Sequence, residues 1–513
     1  MLRFRRTVYC DNNATTQVSR KVLKAVLRLL SRCYANPSSP YRMAHEAAGV
    51  LADARASLGK ALNAPPETLI FTSCATESNN SLRAIAPLLP PKKRTILYNP
   101  LEHPAMLETL FHLEQQGFSL VALKPDRQGR ISPEALEQVW REDVGLVVCM
   151  AANNETGTLY DVKGMVAVAH ARGALFFSDM VQALGKVPVD LLDSGVDYAS
   201  FSAHKIHGPK GVGALYVREG APFAPFMLGG HQEEGRRAGT ESLHNIAGFA
   251  AAIEDIPLLL AKSGALGRRR DALITALREL APDCVINSPA APECQPGTIS
   301  VTFPGRANAV LMGQLDYYGV SVAAGSACNT GEDTPSHVLT AIGLSPEEAR
   351  STLRISLAHD FSDKDLRYTI AIFRDVLSGA GDTVTAVQPS RLTPEMLFAP
   401  DVFIIDLRRT PKTNYALKPL PNSRRFPFFS IDQHLHEIPR DKHILVTCEV
   451  GYDAPIIAYA LRRKGYRRLS FLMWGVLGWK LARPELYARF AGTSDAQESE
   501  QGHNRIREEQ KDG

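Results

Sequence analysis

Metal-site spacing is absent from this sequence. The eight cysteines (10, 33, 74, 149, 284, 294, 328 and 448) are scattered, with no C-x-x-C pair and no zinc-ligand interval. That argues against a structural metal and for a reducing compartment with mostly buried thiols. Charge of one sign is scarce too: 58 Lys and Arg against 54 Asp and Glu leave a formal charge of +4. Direct nucleic-acid binding and an anionic membrane surface are therefore not expected. No apolar run reaches the length of a membrane span. The basic opening MLRFRRTVY lacks an apolar h-region, so no signal peptide is expected and the compartment reads as the cytoplasm. What is present is 513 residues, 45% hydrophobic and 22% charged, enough for a large core and more than one domain.

The chain begins with a strand pattern at Val8-Tyr9-Cys10 running into Asp11–Thr16, then helical spacing over Val18–Leu30. A turn-rich loop at Asn36–Pro40 precedes a helix predicted over Arg42–Leu62. Leu69–Ser73 reads as a buried strand, and Cys74–Asn80 opens a helix with small and hydroxyl residues. Such a junction offers backbone N–H groups to a phosphate, or is an ordinary helix cap at Ser73 or Thr76. From Ile96 to Val187 strands and helices alternate, the pattern of a parallel sheet covered on both faces. Such sheets bind ligands at the C-terminal ends of their strands, and polar residues fall at those ends: Glu102-His103, Asn153-Asn154-Glu155, Asp179 and Lys205.

The stretch DYASFSAHKIHGPKGVG (197–213) organises the rest. An apolar strand stops at Ser202-Ala203-His204-Lys205, and Pro and Gly turn the chain into another strand. A lysine there is either a surface charge beside a turn or an amine whose pKa desolvation lowers. With Asp179 closing the preceding strand, the second choice suits pyridoxal phosphate, the lysine linked to the aldehyde and the aspartate against the ring nitrogen. A smaller α+β section follows, with strands expected at Thr298–Phe303 and Ser321–Ala323. Its loop Ala324–Gly331 is small, polar and glycine-rich, so an exposed thiol is expected at Cys328. Arg354 is either a surface charge or a bidentate clamp for a carboxylate.

Up to about residue 380 the chain resembles the cysteine desulfurases of the class V aminotransferase family, in the iron–sulfur and nitrogen-fixation branch. The motifs that carry the resemblance occur in order: DNNATT (11–16), NPSS (36–39), FTSCATESNN (71–80), EH (102–103), NNETG (153–157), SDMVQ (178–182), SAHKIHGPKG (202–211), RAGT (237–240), GSACNTG (325–331) and PSHVL (335–339). Departures are Cys74 for a usual Gly, Tyr41 and Ala44 after NPSS, His231 in the Gly-rich loop, and Ala358-His359 for Gly-Arg. The resemblance implies a fold-type I α/β transferase, a large domain with a mixed, mostly parallel sheet plus a small α+β domain. It implies conversion of L-cysteine to L-alanine with a persulfide on Cys328. Lys205 would bear the cofactor and take the Cα proton, with Asp179 on the ring nitrogen and Gln182 on the ring hydroxyl. His103 would stack on the ring and shuttle protons. Ala75, Thr76, Ser202 and His204, with Thr240 from a second subunit of a homodimer, would hold the phosphate. Arg354 and Asn154 would bind the substrate carboxylate. A protein sulfur acceptor, either a cluster scaffold or a thiolation protein, is implied as partner. Selenocysteine lyase or another class V lyase is the alternative on the same chemistry.

Gly379–Pro394 reads as a linker rich in Gly, Thr, Ser and Pro. The expected division is 1–380, a linker 381–391, a second domain 392–486 and a polar tail 487–513 expected to be disordered. The second domain looks like a single rhodanese-like α/β domain, with Cys448 between strand and helix. A thiol at a helix N-terminus has a lowered pKa and can hold a persulfide. Against that, Asp453 replaces a basic or hydroxyl residue, and the usual His-Ile-Pro-Gly segment is scrambled around Leu417–Phe426. Sulfur relay through Cys448 and a docking-only domain, in the extreme a sulfur-trafficking scaffold, both stay open on sequence.

Overall fold

The computed structural model describes residues 6–325, 335–379, 384–408 and 417–490. They fall into two compact units, one of residues 9–305 and 322–368, the other of residues 6–8, 306–321 and 369 onward. The first unit is built on a seven-stranded sheet: β1 Leu69–Thr72, β2 Thr95–Tyr98, β3 Ser119–Ala122, β4 Val144–Val148, β5 Leu175–Asp179, β6 Tyr198–Ser202 and β7 Gly213–Val217. Their spatial order is β1-β7-β6-β5-β4-β2-β3. β2 to β6 run parallel, and β7 is antiparallel to both its neighbours. This is the mixed, mostly parallel sheet expected.

Both faces of the sheet are covered, which is why β4 and β6 are buried at every residue. Successive residues serve opposite cores: Val147, Phe176 and Phe201 pack on one face, Leu146, Phe177 and Tyr198 on the other. Helix α1, Arg20–Arg32, starts later than its apolar pattern suggests because the Ser19 side chain accepts the Val22 N–H and caps it. Helix α2, Arg42–Leu62, has the predicted span and stops at Asn63 in the left-handed conformation. Helix α3, Ala75–Asn80, leaves β1, and α4, Pro104–Gln115, follows β2. A three-stranded antiparallel sheet has β9, Thr298–Thr302, between β8, Val285–Ile286, and β10, Thr352–Ser356. The strand expected at Ser321–Ala323 is confined to Val320–Ser321, and Ala323 instead makes an isolated bridge to Arg354.

The second unit holds a five-stranded parallel sheet of β11 Thr385–Val387, β12 Val402–Asp406, β13 Ser423–Arg425, β14 His443–Thr447 and β15 Leu469–Leu472. The order is β11-β15-β14-β12-β13. Three expectations change here. The sheet begins at Thr385, within the stretch expected as linker, because β11 pairs along β15. The strand expected near Phe428–Ser430 is a 3-10 turn, Phe428–His434. Pro427 sets its start, and Ser430 bonds back to the Pro427 carbonyl through both N and Oγ. Residues 487–490 of the expected tail belong to a helix, Pro484–Phe490, whose Tyr487 ring lies 5.7 Å from Trp479; the tail beyond residue 490 lies outside the described residues.

Within this unit helix α5, Asn308–Tyr317, packs on α6, Asp453–Arg463, and adds Val310 and Tyr317 to the core of Ile405, Val446 and Tyr459. Gly313 allows the approach, since a Cβ there would stand 3.0 Å from Tyr459 Cδ2 and 3.2 Å from the Pro455 backbone. Among the described residues no single helix is long and apolar enough to cross a membrane.

Candidate active site

The strand ends of the first unit converge on a cavity of about 240 Å³ lined by Asn13, Thr76, His103, Asn154, Asp179, Gln182, Ser202, His204, Lys205 and Arg354, among others. Lys205 closes a short 3-10 turn, Ala203–Lys205, directly after β6. Its Nζ donates to the Asn13 carbonyl at 2.6 Å and the Ala14 carbonyl at 2.8 Å. The amine is thus seated by the DNNATT segment, a partner that no local pattern around residue 205 announces. Gly213 allows the opposite wall to close in: a Cβ there would lie 2.5 Å from the Phe201 oxygen and 2.8 Å from the Cys74 carbonyl carbon. Cys74 lines the cavity with Ala75 and Thr76 at the start of α3.

Asp179 ends β5 and is buried. Its two oxygens accept from Asn79 Nδ2 at 2.9 Å and the Val181 N–H at 3.0 Å, so the carboxylate is fixed rather than freely rotating. His103 caps α4, its Nδ1 accepting the Ala105 N–H at 3.1 Å. That assignment puts the proton of the neutral ring on Nε2. Burial lowers the His103 pKa, Lys205 and His337 lower it further, and Asp179 opposes them. His204 bonds Thr15 Oγ1 through Nδ1 at 3.1 Å, and its pKa falls to about 4, from burial first and then from Lys205 and Lys210. Both imidazoles are therefore neutral at pH 7.

Arg354 is buried at 2% exposure, which removes the surface-charge alternative. Its Nη2 donates to Asp11 Oδ1 at 2.8 Å and its Nη1 to the Asn154 carbonyl at 3.2 Å, while Nε has no hydrogen-bond partner among the described residues. Asp11 was not legible as an anchor, although it opens the first motif. Glu155, another strand-end residue, accepts from Ser336 Oγ at 2.6 Å. Cys328 lies outside the described residues. Thr240 is exposed and is not among the cavity residues. Lys186 is the functional neighbour that sequence reading missed: it is buried and lies against Asn13 and Gln182.

Cys448 belongs to the second unit. It follows β14, and its Sγ accepts the Gly451 N–H at 3.1 Å, so part of the expected backbone cradle exists. The thiol is nevertheless sealed. The Val476 N–H donates to the Cys448 carbonyl and the Leu477 N–H to the Glu449 carbonyl, both at 3.0 Å. Gly451, at φ 92°, presses on the next turn so closely that a Cβ would stand 2.5 Å from the Trp474 nitrogen. Burial, then Asp453, pushes the Cys448 pKa up to about 11, against opposing N–H bonds from Ala454, Asp453 and Gly451. The lowered thiol pKa expected of a helix N-terminus is overturned by desolvation.

Comparison with known proteins agrees with this geometry. The aminotransferase class-V family model matches residues 8–368, and the rhodanese-like domain model matches residues 393–482. The chain is 36% identical over 374 residues to a cysteine desulfurase of Trichormus azollae, covering 72% of this chain and 92% of that protein. It is 35% identical over 361 residues to the cysteine desulfurase NifS of Azotobacter vinelandii, covering 70% and 90%. Among solved structures, a NifS-like protein aligns with a TM-score of 0.68 at 37% identity, covering 73% of this chain and all of that one. The structure titled SspA in complex with cysteine aligns at 0.60 and 33% identity, covering 68% and 99%.

Proposed function

This chain belongs to the class-V aminotransferase family and carries a rhodanese-like domain, and from that premise we propose a cysteine desulfurase that converts L-cysteine to L-alanine and leaves the sulfur as a persulfide on Cys328. The observation that carries the reading is the meeting of Lys205, Asp179 and Arg354 around one cavity. The family is pyridoxal-phosphate-dependent, and the donor set fits that group: an amine for the aldehyde, a fixed carboxylate for the ring nitrogen, and Thr76, Ser202 and His204 for the phosphate. When bound, the cofactor supplies an electron sink for charge developing at the substrate Cα.

The protein's own residues do the rest. Arg354 and Asn154 hold the substrate carboxylate, the guanidinium by charge-assisted hydrogen bonds. Lys205 Nζ takes the Cα proton, and neutral His103, with a proton on Nε2, passes protons near the ring. The Cys328 thiolate bonds to the substrate sulfur as the C–S bond breaks. The Cys328 thiol and L-cysteine become the Cys328 persulfide and L-alanine: sulfur is oxidised, the former Cβ is reduced to methyl, and no outside oxidant is needed. A second subunit supplies Thr240 to the phosphate, which makes the working form a homodimer.

For the second domain, the sealed Cys448 favours a docking role in the resting state. Sulfur then leaves Cys328 for an acceptor protein held by that domain, whether a cluster scaffold or a thiolation protein. Isotopically labelled cysteine, followed by digestion and location of the sulfur, tests both parts. Borohydride should fix the cofactor on Lys205, and label should collect on Cys328. A cofactor fixed at another residue sinks the site; label on Cys448 that vanishes in Cys328→Ala replaces docking with relay.

A further inference from the structure

Behind the Lys205 turn lies a second lysine that the chemistry above does not use. Lys186 closes the turn after β5 and is buried, at 9% exposure. Its Nζ donates to Asn13 Oδ1 at 2.8 Å, to Gln295 Oε1 at 3.3 Å and to Gln182 Oε1. An ammonium has three N–H donors, and three acceptors surround this one, so the site is built for the charged form. All three acceptors are amide oxygens; a neutral amine would turn its lone pair toward one of them. Burial nevertheless lowers the Lys186 pKa well below that of a free lysine, and Lys205 and Arg354 add to it.

Asn13 joins the two lysines. Its carbonyl accepts from Lys205 Nζ at 2.6 Å and from Gln182 Nε2 at 2.9 Å, while its side-chain oxygen accepts from Lys186 Nζ at 2.8 Å. Asn13 Nδ2 is tied in turn to the Asn154 carbonyl at 3.1 Å and Thr298 Oγ1 at 2.9 Å. Moving Lys186 therefore moves the carbonyl that seats the Lys205 amine. A small cavity lined by both Lys186 and Lys205, with His359, shows the two side chains facing one space.

We propose that Lys186 is a positioning residue for Lys205: it fixes the Asn13 carbonyl and Gln182, and its ammonium, bonded among the described residues only to amides, sets the charge felt by the Lys205 nitrogen. The proposal rests on Lys205 as the cofactor-bearing lysine. The other charged or titratable groups are Arg354, paired with Asp11, and His359, His207 and Lys262 on the Lys186 side, and Asp179, His103, His204 and Lys210 around Lys205. His103 and His204 are neutral, as is His359, whose pKa burial lowers to about 4. Both Asp179 oxygens are already engaged by Asn79 and Val181. Removing the Lys186 charge should then make the Lys205 nitrogen hold its proton to higher pH.

The test is a pH titration of the visible absorbance of Lys205-bound pyridoxal phosphate in the full-length holoenzyme, wild type against Lys186→Met and Lys186→Gln. The proton-loss midpoint should rise by about one pH unit, a tenfold change in proton affinity. Should neither variant fold, Asn13→Ala removes one of the ammonium's acceptors, weakens its hold on the proton, and should move the midpoint in the same direction. A midpoint unchanged or lowered, with the cofactor still fixed on Lys205 by borohydride, overturns the proposal. A wild-type protein whose cofactor is fixed at another residue overturns the reading of the site instead.

Discussion

Lys205 and Cys448 occupy similar places in their own units and have opposite chemical character. Each follows the end of a sheet strand, and each lies in a glycine-containing turn. Around Lys205 the turn borders a cavity, two carbonyls seat the amine, and an aspartate and two neutral imidazoles face the same space. Around Cys448 the next turn bonds to the Cys448 and Glu449 carbonyls, the thiol is buried, and burial outweighs three backbone N–H groups. A strand end before a turn therefore supplies a place for a nucleophile; its surroundings decide whether the group can react.

The strongest way to break that contrast is to remove each group. Lys205→Ala should lower alanine release by more than about 10²–10⁴-fold, the range for losing a proton-transfer group, because it also removes the covalent seat of the cofactor. Cys448→Ala should leave alanine release unchanged. Alanine measured by single-time-point assay across a cysteine series decides both, and a Cys448→Ala enzyme slowed like the Lys205 variant would put both thiol and lysine in one reaction.

The two regions also differ in how much of them was legible. The strand ends bearing His103, Asn154, Asp179 and Lys205 could be read because buried parallel strands are near-continuous apolar runs, and polar residues stand out where they stop. The grip of Asp11 on Arg354, of Asn13 on Lys205 and of Lys186 on Asn13 could not be read, since these partners lie far apart along the chain. In the second unit the strand-cysteine-helix order was legible. The packing around the cysteine was not, because Trp474 and Gly475, which press on Gly451 and the Cys448 carbonyl, arrive from the end of another strand. The linker was misjudged for a similar reason: β11 has two exposed residues of three, and only its pairing with β15 makes it a strand.

An intermediate effect is expected at Arg354, where the side chain is built into the cavity wall. Arg354→Lys keeps a positive charge but loses the planar fork that serves Asp11 and the Asn154 carbonyl together. A charge-assisted hydrogen bond contributes about 1.5–3 kcal/mol, so kcat/KM for cysteine should fall about 10- to 100-fold. Most of that change should be in KM, as expected for a group that binds the carboxylate before and during the reaction. A fall carried wholly by kcat would place Arg354 in the chemical step and not in substrate binding.

The smallest expected effect sharpens the contrast from the Cys448 side. A thiol with its pKa at about 11 is ionised in only about one molecule in ten thousand at pH 7. Iodoacetamide should therefore leave Cys448 nearly unmodified at neutral pH, with the rate rising as pH climbs toward 11, since the thiolate is the reacting form. Burial is the larger cause of the raised value and Asp453 the second. Asp453→Asn should consequently move the alkylation profile to lower pH by less than the whole displacement, leaving a thiol still harder to ionise than a free one. Peptide mass spectrometry after timed alkylation across the pH range measures this residue by residue. A Cys448 modified at pH 7 as fast as a free thiol would mean that the turn carrying Trp474 and Gly475 opens readily. A profile restored fully by Asp453→Asn would mean that one neighbouring charge, and not the closure of the turn, separates Cys448 from a reactive cysteine.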